Sequence, residues 1–431
     1  MKLLLFNPRA ANYKPRIPNS VLQVAASLGG KTGWVIVDGN LEADPEQKIF
    51  EYLATGEFGY FGSTVMPGPQ LRQAIPISKK IRAAFPALKI IWGGYFPSNQ
   101  PKVCLESGFV DVIVNGPGDK CFPKLIEKWE KGETELSDIS NLIYLKEGKM
   151  ISTKKDEIYE QDSLPALPYA ELNNFYPLER YLGKTYLGSK TIAYHSSFGC
   201  PFTCSFCAVV PIYNARWKGK SAQLIYSDVK YLKETYGGNA IEFHDNNFFV
   251  SEKRVVEFSK LVRDEKMIWW GEGRIDTIDK YSDESLATMR EAGCKMIFFG
   301  AETGNDAILK KMDKGGTQTG QQIQAFAARM KKFDIIPEYS FVLGIPPSRG
   351  TDSEEEVVRQ IDEDIAFIRK IKEINPDTEI IIYVYSPVPT EGSELFNSVK
   401  AQGFSFPSTL EDWISPEWEN FDLRKIPSHP G

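Results

Sequence analysis

Short apolar runs alternate with amphipathic segments through the first 150 residues of this 431-residue chain. The apolar runs are rich in β-branched and aromatic residues and end at Gly, Pro, Asn or Asp, which is typical of buried strands. We predict strands at residues 2–7, 34–37, 60–66, 89–92 and 110–114. Helices are predicted between them at 46–53, behind the N-terminal cap Asp44-Pro45, and at 69–85. This alternation predicts an α/β domain with a parallel, doubly wound, Rossmann-like sheet.

A second α/β pattern begins near residue 189. Strands are predicted at 191–195, 240–244, 267–270, 294–299, 339–343 and 379–385. Intervening helices are predicted at 222–236, 252–265, 283–292, 321–332 and 354–373, the last behind a capping box of Ser353 and Glu356. Six such units predict a partial (βα)6 barrel with its active site at the carboxyl ends of the strands. We therefore expect a first domain at 1–150, a linker at 151–188, a barrel at 189–400 and a C-terminal tail at 401–431.

Three cysteines lie within eight residues directly after the first barrel strand: Cys200, Cys204 and Cys207. Four-iron clusters normally take four cysteine ligands, and the nearest other cysteines, Cys121 and Cys294, are far away along the chain. Three thiolates on one loop would leave one iron open for chemistry. A structural zinc site would need a second close pair of ligands, and inert core cysteines rarely show this spacing, so both remain minor alternatives.

The spacing Cys-x3-Cys-x2-Cys, with Phe206 directly before the last cysteine, resembles the signature loop of the radical S-adenosylmethionine (radical SAM) enzymes. This resemblance implies that the three cysteines hold a 4Fe-4S cluster. It also implies that S-adenosylmethionine chelates the open iron through its amino and carboxylate groups and is cleaved to a 5′-deoxyadenosyl radical. The residues that the resemblance assigns to S-adenosylmethionine are Phe206, Asp245, Arg274 and Glu302.

The first domain resembles the cobalamin (B12)-binding domain of one branch of this family. That branch includes enzymes similar to the anaerobic magnesium-protoporphyrin ester cyclase and the class B methyltransferases. The matching segments are residues 93–98, Gly-Gly-Tyr-Phe-Pro-Ser, and residues 110–119. The resemblance implies that cobalamin is bound by residues at the strand ends of this domain, namely Asn7, Ser63, Gly93, Gly94 and Gly116.

The sequence departs from the usual cobalamin pattern in its histidines. The Asp-x-His-x-x-Gly motif is absent, and Phe96 stands where relatives often carry histidine. The three histidines, His195, His244 and His429, lie outside the first 150 residues. We therefore expect no histidine of this domain to ligate cobalt, and a domain that binds nothing or an adenine nucleotide stays an alternative. NAD is not expected, because no Gly-x-Gly-x-x-Gly follows the first strand.

Charge and composition indicate which partners and which cellular compartment to expect for the protein. The net charge of −6, with basic residues spread along the chain, argues against a nucleic-acid partner. The apolar N-terminal run is too short for a signal peptide or a membrane span, and cysteine usage fits a reducing compartment. We expect a cytoplasmic enzyme with a small-molecule, lipid or natural-product substrate and a flavodoxin- or ferredoxin-like electron donor.

The resemblance implies a radical C-methyltransferase, in which cobalamin methylated by a second S-adenosylmethionine delivers a methyl group to an unactivated carbon. A cobalamin-containing cyclase or ring-rearranging enzyme is the alternative within the family. Formation of S-adenosylhomocysteine, in addition to deoxyadenosine, separates methylation from cyclisation. An alternative of another class is a non-catalytic iron-sulfur electron carrier or sensor, which would not cleave S-adenosylmethionine.

Overall fold

The computed structural model describes residues 1–10, 14–312, 314, 318–345, 354–386, 391, 394–401 and 403–421. The chain divides into two compact units, one of residues 1–183 with the segment from Pro407 onward, and one of residues 184–406. The predicted cap residue Ser353, and residues 402 and 422–431 of the predicted tail, lie outside the described residues. Both units are built on parallel sheets, so the predicted α/β fold class is confirmed. In the described part of the chain, no helix is both long and apolar enough to span a bilayer.

The first unit is a doubly wound sheet with an added hairpin. Its strands are β1 (Lys2–Asn7), β2 (Trp34–Asp38), β3 (Phe58–Thr64), β4 (Lys89–Gly93), β5 (Val112–Val114), β6 (Leu142–Lys146) and β7 (Lys149–Ser152). Its helices before residue 183 are α1 (Asn19–Ser27), α2 (Pro45–Leu53), α3 (Leu71–Ala84), α4 (Tyr95–Asn99), α5 (Pro101–Glu106), α6 (Cys121–Glu130) and α7 (Tyr169–Phe175). The strand order is β2-β1-β3-β4-β5-β6-β7, in which only β6 and β7 are antiparallel to their neighbours.

Strand β1 lies between β2 and β3 and is apolar from Leu3 to Phe6. The side chains from Leu3 to Phe6 are no more than 2% exposed, as expected for a parallel strand covered on both faces. The chain leaves β1 toward β2 on one side and returns to β3 on the other. This reversal creates a switch point between β1 and β3, where open α/β sheets bind ligands at the carboxyl ends of the strands.

The C-terminal segment packs into the core of the first unit. Leu410 and Trp413 are at most 2% exposed and belong to the same apolar cluster as Phe96. The Trp413 and Phe96 rings meet edge to face at 5.1 Å. The predicted tail therefore contributes core side chains rather than surface alone.

The second unit carries the barrel sheet. Its strands are β8 (Thr191–Tyr194), β9 (Ser197–Gly199), β10 (Trp217–Gly219), β11 (Ala240–Phe243), β12 (Ile268–Gly273), β13 (Cys294–Glu302), β14 (Ile336–Leu343) and β15 (Glu379–Val384). Its helices are α8 (Val210–Tyr213), α9 (Ala222–Tyr236), α10 (Glu252–Val262), α11 (Ile275–Ile278), α12 (Asp283–Glu291), α13 (Asp306–Lys311), α14 (Gly320–Lys332), α15 (Glu354–Ile374) and α16 (Glu394–Ala401). Helix α17 (Pro416–Phe421) follows in the C-terminal segment of the first unit.

The barrel sheet is open between its first and last strands. Six parallel strands follow the order β15-β14-β13-β12-β11-β8, and β9 and β10 form a separate antiparallel pair. On the helix-covered face, Trp269 packs against Phe243, Phe248 and Phe258, with ring centroids 5.8 to 6.1 Å from the indole. The opposite face of the same strands forms the inner wall of the barrel, which we call the lumen.

Gly293 shows where the backbone leaves no room for a side chain. It joins α12 to β13 with φ +94°, and a Cβ there would lie 2.0 Å from the carbonyl oxygen of Met267. Gly237, the C-cap of α9, also has a positive φ, +78°, but its Cβ would meet only the flexible end of Lys190. A side chain at Gly237 would therefore meet conformational strain alone, whereas one at Gly293 would meet strain and a backbone clash.

We expect Gly293→Ala to lower the free energy of unfolding by about 3 kcal/mol, because a backbone clash adds to the strain of a positive φ. Gly237→Ala is the matched control and should cost only about 1 kcal/mol, the strain alone. Urea unfolding followed by tryptophan fluorescence measures both. Equal destabilisation by the two variants would contradict the assignment of a clash at Gly293.

Candidate active site

The cysteine loop follows β8, whose carboxyl end opens into the barrel. The loop is closed at its base by the β9–β10 pair, in which Gly199 faces Trp217 and Ser197 faces Gly219. Gly199, directly before the first cysteine, has φ +77°, a conformation that glycine adopts without strain. The N–H of Ser205 also donates to the carbonyl of Met312 at 3.1 Å. The loop is therefore fixed at both ends and near its middle.

The three thiols lie close enough to influence one another. Burial, and to a smaller extent the neighbouring Cys204 and Cys200, raises the pKa of Cys207 to about 11. Burial also raises the pKa of Cys200, and this rise is partly offset by the Phe202 backbone and, to a smaller extent, by the Asn247 side chain. All three cysteines are free of disulfides. Without a metal, Cys200 and Cys207 are therefore protonated at neutral pH, and binding of iron must displace their protons.

The arrangement of these thiols fits a cluster better than a single ion. Across the described ranges, no three His, Cys, Asp or Glu side chains are gathered tightly enough to hold one metal ion. In a four-iron cluster each cysteine binds a different iron. The distances between the cysteine sulfurs are therefore longer than the distances between the ligands of a single metal ion. The donor set of three cysteines on one loop fits that group, with the cysteine thiolates as the ligands.

Asp245 anchors the start of the cysteine loop. It follows β11, and the pairing of β11 with β8 brings it beside Ser196. Its carboxylate accepts from the Ser196 N–H at 3.1 and 3.2 Å and from the Ser196 hydroxyl at 2.8 Å. The Ser197 hydroxyl donates to the same oxygen. These bonds commit Asp245 to the protein, and its predicted contact with S-adenosylmethionine stays a prediction.

Arg274 lies at the end of β12 and contacts the loop itself. Its Nη1 donates to the sulfur of Cys204 at 3.0 Å. Its Nε and Nη2 donate to Asp276 at 2.9 and 2.8 Å, and its guanidinium lies 4.0 Å from the Phe202 ring centroid. Sequence reasoning assigned Arg274 to S-adenosylmethionine. In this structure its partners are a cysteine, a carboxylate and a ring of the loop.

Glu302 ends β13 in an unusual conformation. Its φ is +65°, rare for a residue other than glycine, and the register with β14 shifts between Gly300 and Glu302. Its carboxylate accepts from Lys314 at 2.6 Å, in an ion pair with both side chains less than 10% exposed. The Lys314 ammonium lies 5.9 Å from the Phe206 ring centroid. Glu302 and Phe206, two predicted S-adenosylmethionine residues, therefore meet around Lys314.

The lumen is lined by imidazole and carboxyl groups. The rings of His195 and His244 lie 6.1 Å apart on the adjacent strand ends of β8 and β11. His244 Nε2 lies 3.2 Å from Glu242, and Trp270 donates to Glu338 at 2.8 Å. Desolvation, followed by the nearby His244, lowers the pKa of His195 to about 4. The imidazole of His195 is therefore neutral at neutral pH.

Glu272 faces the same space from β12. Its register partner on β13 is Phe298, which in turn faces Glu338 on β14. Burial raises the pKa of Glu272 to about 7, against a smaller opposing effect of His244. This carboxyl therefore changes its protonation near neutral pH, a property common among groups at functional sites.

In the first unit, the residues predicted to bind cobalamin lie at the carboxyl edge of the sheet. Asn7 and Ser63 are buried at the ends of β1 and β3. Gly94 has φ +99°, and a Cβ would lie 2.8 Å from the Val65 carbonyl oxygen, so glycine is required for the close approach of two loops. Gly93 is in β4, and Gly116 follows β5 with φ +105°. The structure thus gives Gly94 a folding role and leaves its ligand role a prediction.

Sequence reasoning missed two groups, one at the carboxyl edge of each sheet. Lys314 follows Lys310 and Lys311, so its sequence context is typical of a solvated surface. Asp38 in the first unit is fully buried, and burial raises its pKa. Its position at the end of β2 was the available signal, because such residues face the ligand edge of a doubly wound sheet.

Residues 194–361 match the sequence profile of the radical SAM superfamily. The match begins at the end of β8 and includes the cysteine loop, Arg274 and Glu302. The chain contains a radical SAM domain, which confirms the family predicted from the cysteine spacing. This family implies a 4Fe-4S cluster and S-adenosylmethionine.

Two curated relatives extend the similarity over most of the chain. An uncharacterized methyltransferase, PH0819, from Pyrococcus horikoshii is 27% identical over 381 residues, which is 86% of this chain and 78% of the relative. The anaerobic magnesium-protoporphyrin IX monomethyl ester cyclase of Synechocystis sp. is 25% identical over 412 residues, which is 89% of this chain and 75% of that enzyme.

A solved structure shares the fold of nearly the whole chain. It is that of the cobalamin-dependent S-adenosylmethionine radical enzyme OxsB with aqua-cobalamin and S-adenosylmethionine bound, and it matches with a TM-score of 0.72 at 17% identity. The match covers 93% of this chain and 55% of the OxsB chain. The likeness confirms the predicted combination of a Rossmann-like domain and a radical SAM barrel.

We expect Glu272→Gln to change stability in a pH-dependent way. The folded-state pKa, about 7, lies above the ordinary value of 4.5, so between these values the folded chain binds more protons than the unfolded chain. Stability of the natural chain therefore falls as pH rises through this range. At pH 8 the variant should be more stable by about 2 kcal/mol, a value reduced because solvent in the lumen screens the carboxylate.

Urea midpoints of the cluster-free chain under reductant, taken at pH 5 and pH 8, measure this effect. Glu257→Gln, at a carboxyl whose side chain is 52% exposed, serves as the control and should be neutral at both values. A stability difference for Glu272→Gln that is the same at pH 5 and pH 8 would show that this carboxyl is not desolvated.

Proposed function

We propose that this protein is a cobalamin-dependent radical SAM enzyme that methylates an unactivated carbon. The observation that carries the proposal is the three-cysteine loop, held by Asp245 at the carboxyl end of the barrel within a radical SAM domain. A relative named as a methyltransferase, similar over 86% of the chain, supports methylation.

The residues of the second unit fit the cofactors of this family. Cys200, Cys204 and Cys207 would hold the cluster, and Glu302 with Phe206 would face S-adenosylmethionine. Together with cobalamin, these cofactors supply a deoxyadenosyl radical and a transferable methyl group. The task of the chain is to bind and orient these groups. Lys314 fixes the Glu302 carboxylate, because the buried ion pair leaves it little freedom to rotate.

Cobalamin fits the carboxyl edge of the first unit. The buried Ser98 hydroxyl and Asn115 amide oxygen, which follow β4 and β5, have no hydrogen-bond partner in the described structure. Leaving such groups unpaired is costly, so a ligand with amide and hydroxyl groups would suit them. The corrin ring carries amide side chains. No histidine occurs in residues 1–183, so the lower face of the cobalt would receive no imidazole from this part of the first unit.

A cyclase is the second candidate, and the similarity to the magnesium-protoporphyrin ester cyclase over 89% of the chain favours it. The lumen would serve either reaction, because its aromatic and carboxyl groups suit a substrate with apolar and polar parts. The proposal includes a small-molecule or natural-product substrate and a one-electron donor of the flavodoxin or ferredoxin type. Six free cysteines support a cytoplasmic location.

The test is anaerobic reconstitution of the full chain with iron, sulfide and cobalamin, followed by reduction in the presence of S-adenosylmethionine. We expect bound cobalamin, about four irons per chain and formation of 5′-deoxyadenosine. Cys204→Ala should lose the cluster and the product. Cys121→Ala, at a buried cysteine outside the loop, should keep both.

Three results would change the proposal. A cluster that supports no deoxyadenosine formation would indicate an electron carrier or sensor. Deoxyadenosine without retained cobalamin would remove the methyl-transfer route and give the first unit another purpose. With a substrate in hand, S-adenosylhomocysteine formed in step with product would establish methylation, and its absence would establish cyclisation.

A further inference from the structure

We propose that Arg274 raises the reduction potential of the iron-sulfur cluster through a hydrogen bond to the sulfur of Cys204. This role differs from the S-adenosylmethionine contact that the sequence predicts for Arg274. It rests on the proposed function, because it requires the cysteine loop to hold a cluster.

The guanidinium of Arg274 is already divided between two partners. Arginine presents its N–H donors in a rigid planar fork. One edge of the fork, Nε and Nη2, donates to both oxygens of Asp276 at 2.9 and 2.8 Å. The remaining nitrogen, Nη1, points to the Cys204 sulfur at 3.0 Å. The Arg274 and Asp276 side chains are only 8% and 2% exposed, so water does not compete for these bonds.

The cysteine loop also covers one face of the guanidinium. The Phe202 ring, between the first and second cysteines, lies 4.0 Å from the guanidinium carbon. Arg274 is thus held by a carboxylate, a ring and a sulfur. A turn of the fork toward another ligand would break the bidentate pair and leave buried Asp276 without its partner, which is strongly unfavourable.

A hydrogen-bond donor in this position changes the reduction potential of the cluster. One-electron reduction adds one negative charge to the cluster and exchanges no atoms. Hydrogen bonds to the sulfurs and nearby charge set the potential of such clusters. The Arg274 N–H therefore stabilises the reduced state more than the oxidised one. Lys314, another buried cation near the loop, is committed to Glu302 and to the Gly300 carbonyl.

The test is an anaerobic redox titration of the reconstituted full chain, monitored by electron paramagnetic resonance without S-adenosylmethionine. Arg274→Met removes the donor and the charge, and Arg274→Lys keeps the charge but loses the fork. We expect Arg274→Met to lower the reduction equilibrium constant about tenfold or more, about 59 mV for a one-electron couple. Arg274→Lys should shift it less. Arg263→Gln, at a side chain that is 57% exposed, should leave it unchanged.

A second measurement reports the hydrogen bond directly. In the reduced natural chain, the N–H proton near the cysteine sulfur should give a coupling in electron-nuclear double resonance that disappears in D2O. Arg274→Met should lack this coupling even when its cluster content is normal. A purely structural role for Arg274 would leave both the potential and the coupling unchanged.

The outcomes separate this inference from the function it rests on. Absence of a cluster in the natural chain would overturn both. A normal cluster in Arg274→Met or Arg274→Lys with unchanged potential and coupling would overturn the inference alone. In that case, a tenfold weaker affinity for S-adenosylmethionine would assign Arg274 to the cofactor instead. If Arg274→Met fails to assemble its cluster, the potential and coupling of Arg274→Lys decide between the two roles.

Discussion

The arrangement of the site depends on the hydrogen bonds between Asp245 and the serines that begin the cysteine loop. A loop that carries three metal ligands has little secondary structure of its own, so something outside it must fix where it starts. Parallel pairing of β8 and β11 brings Asp245 beside Ser196, and the carboxylate then binds both a backbone N–H and two hydroxyls. The position of the loop is thereby tied to the register of the barrel sheet.

Buried ion pairs at the ends of the next two strands also help to fix the position of the cysteine loop. Arg274 pairs with Asp276 after β12, and Glu302 pairs with Lys314 after β13. Buried ion pairs contribute little net stability, because desolvation offsets the attraction. Their value here is geometric, since each pair holds one charged group against the cysteine loop. The positive φ of Glu302 is a further cost that the fold sustains at this edge.

Local patterns predicted most of the fold, and long-range pairing decided what they missed. The strand positions and the N-cap at Asp44 follow from nearby residues, and the Asp44 side chain indeed accepts from the Gln47 N–H at 2.9 Å. The β6–β7 hairpin was missed because its strands are short and were partly assigned to a linker. The partners of Asp245 and Lys314 were also missed, because they lie 49 and 12 residues away along the chain. Spacing identifies the cysteines, but only the fold shows what holds them.

The lumen differs from the cysteine edge in how its charges are balanced. At the cysteine edge, each buried carboxylate has a cation or several donors. In the lumen, Glu272 and Glu338 face each other across Phe298, and burial raises the pKa of both. Partners of this kind keep the carboxylates of the cysteine edge charged. In the lumen, by contrast, the Glu272 carboxyl has a pKa of about 7 and exchanges its proton near neutral pH, beside the neutral imidazole of His195, so the charge of the lumen changes with pH.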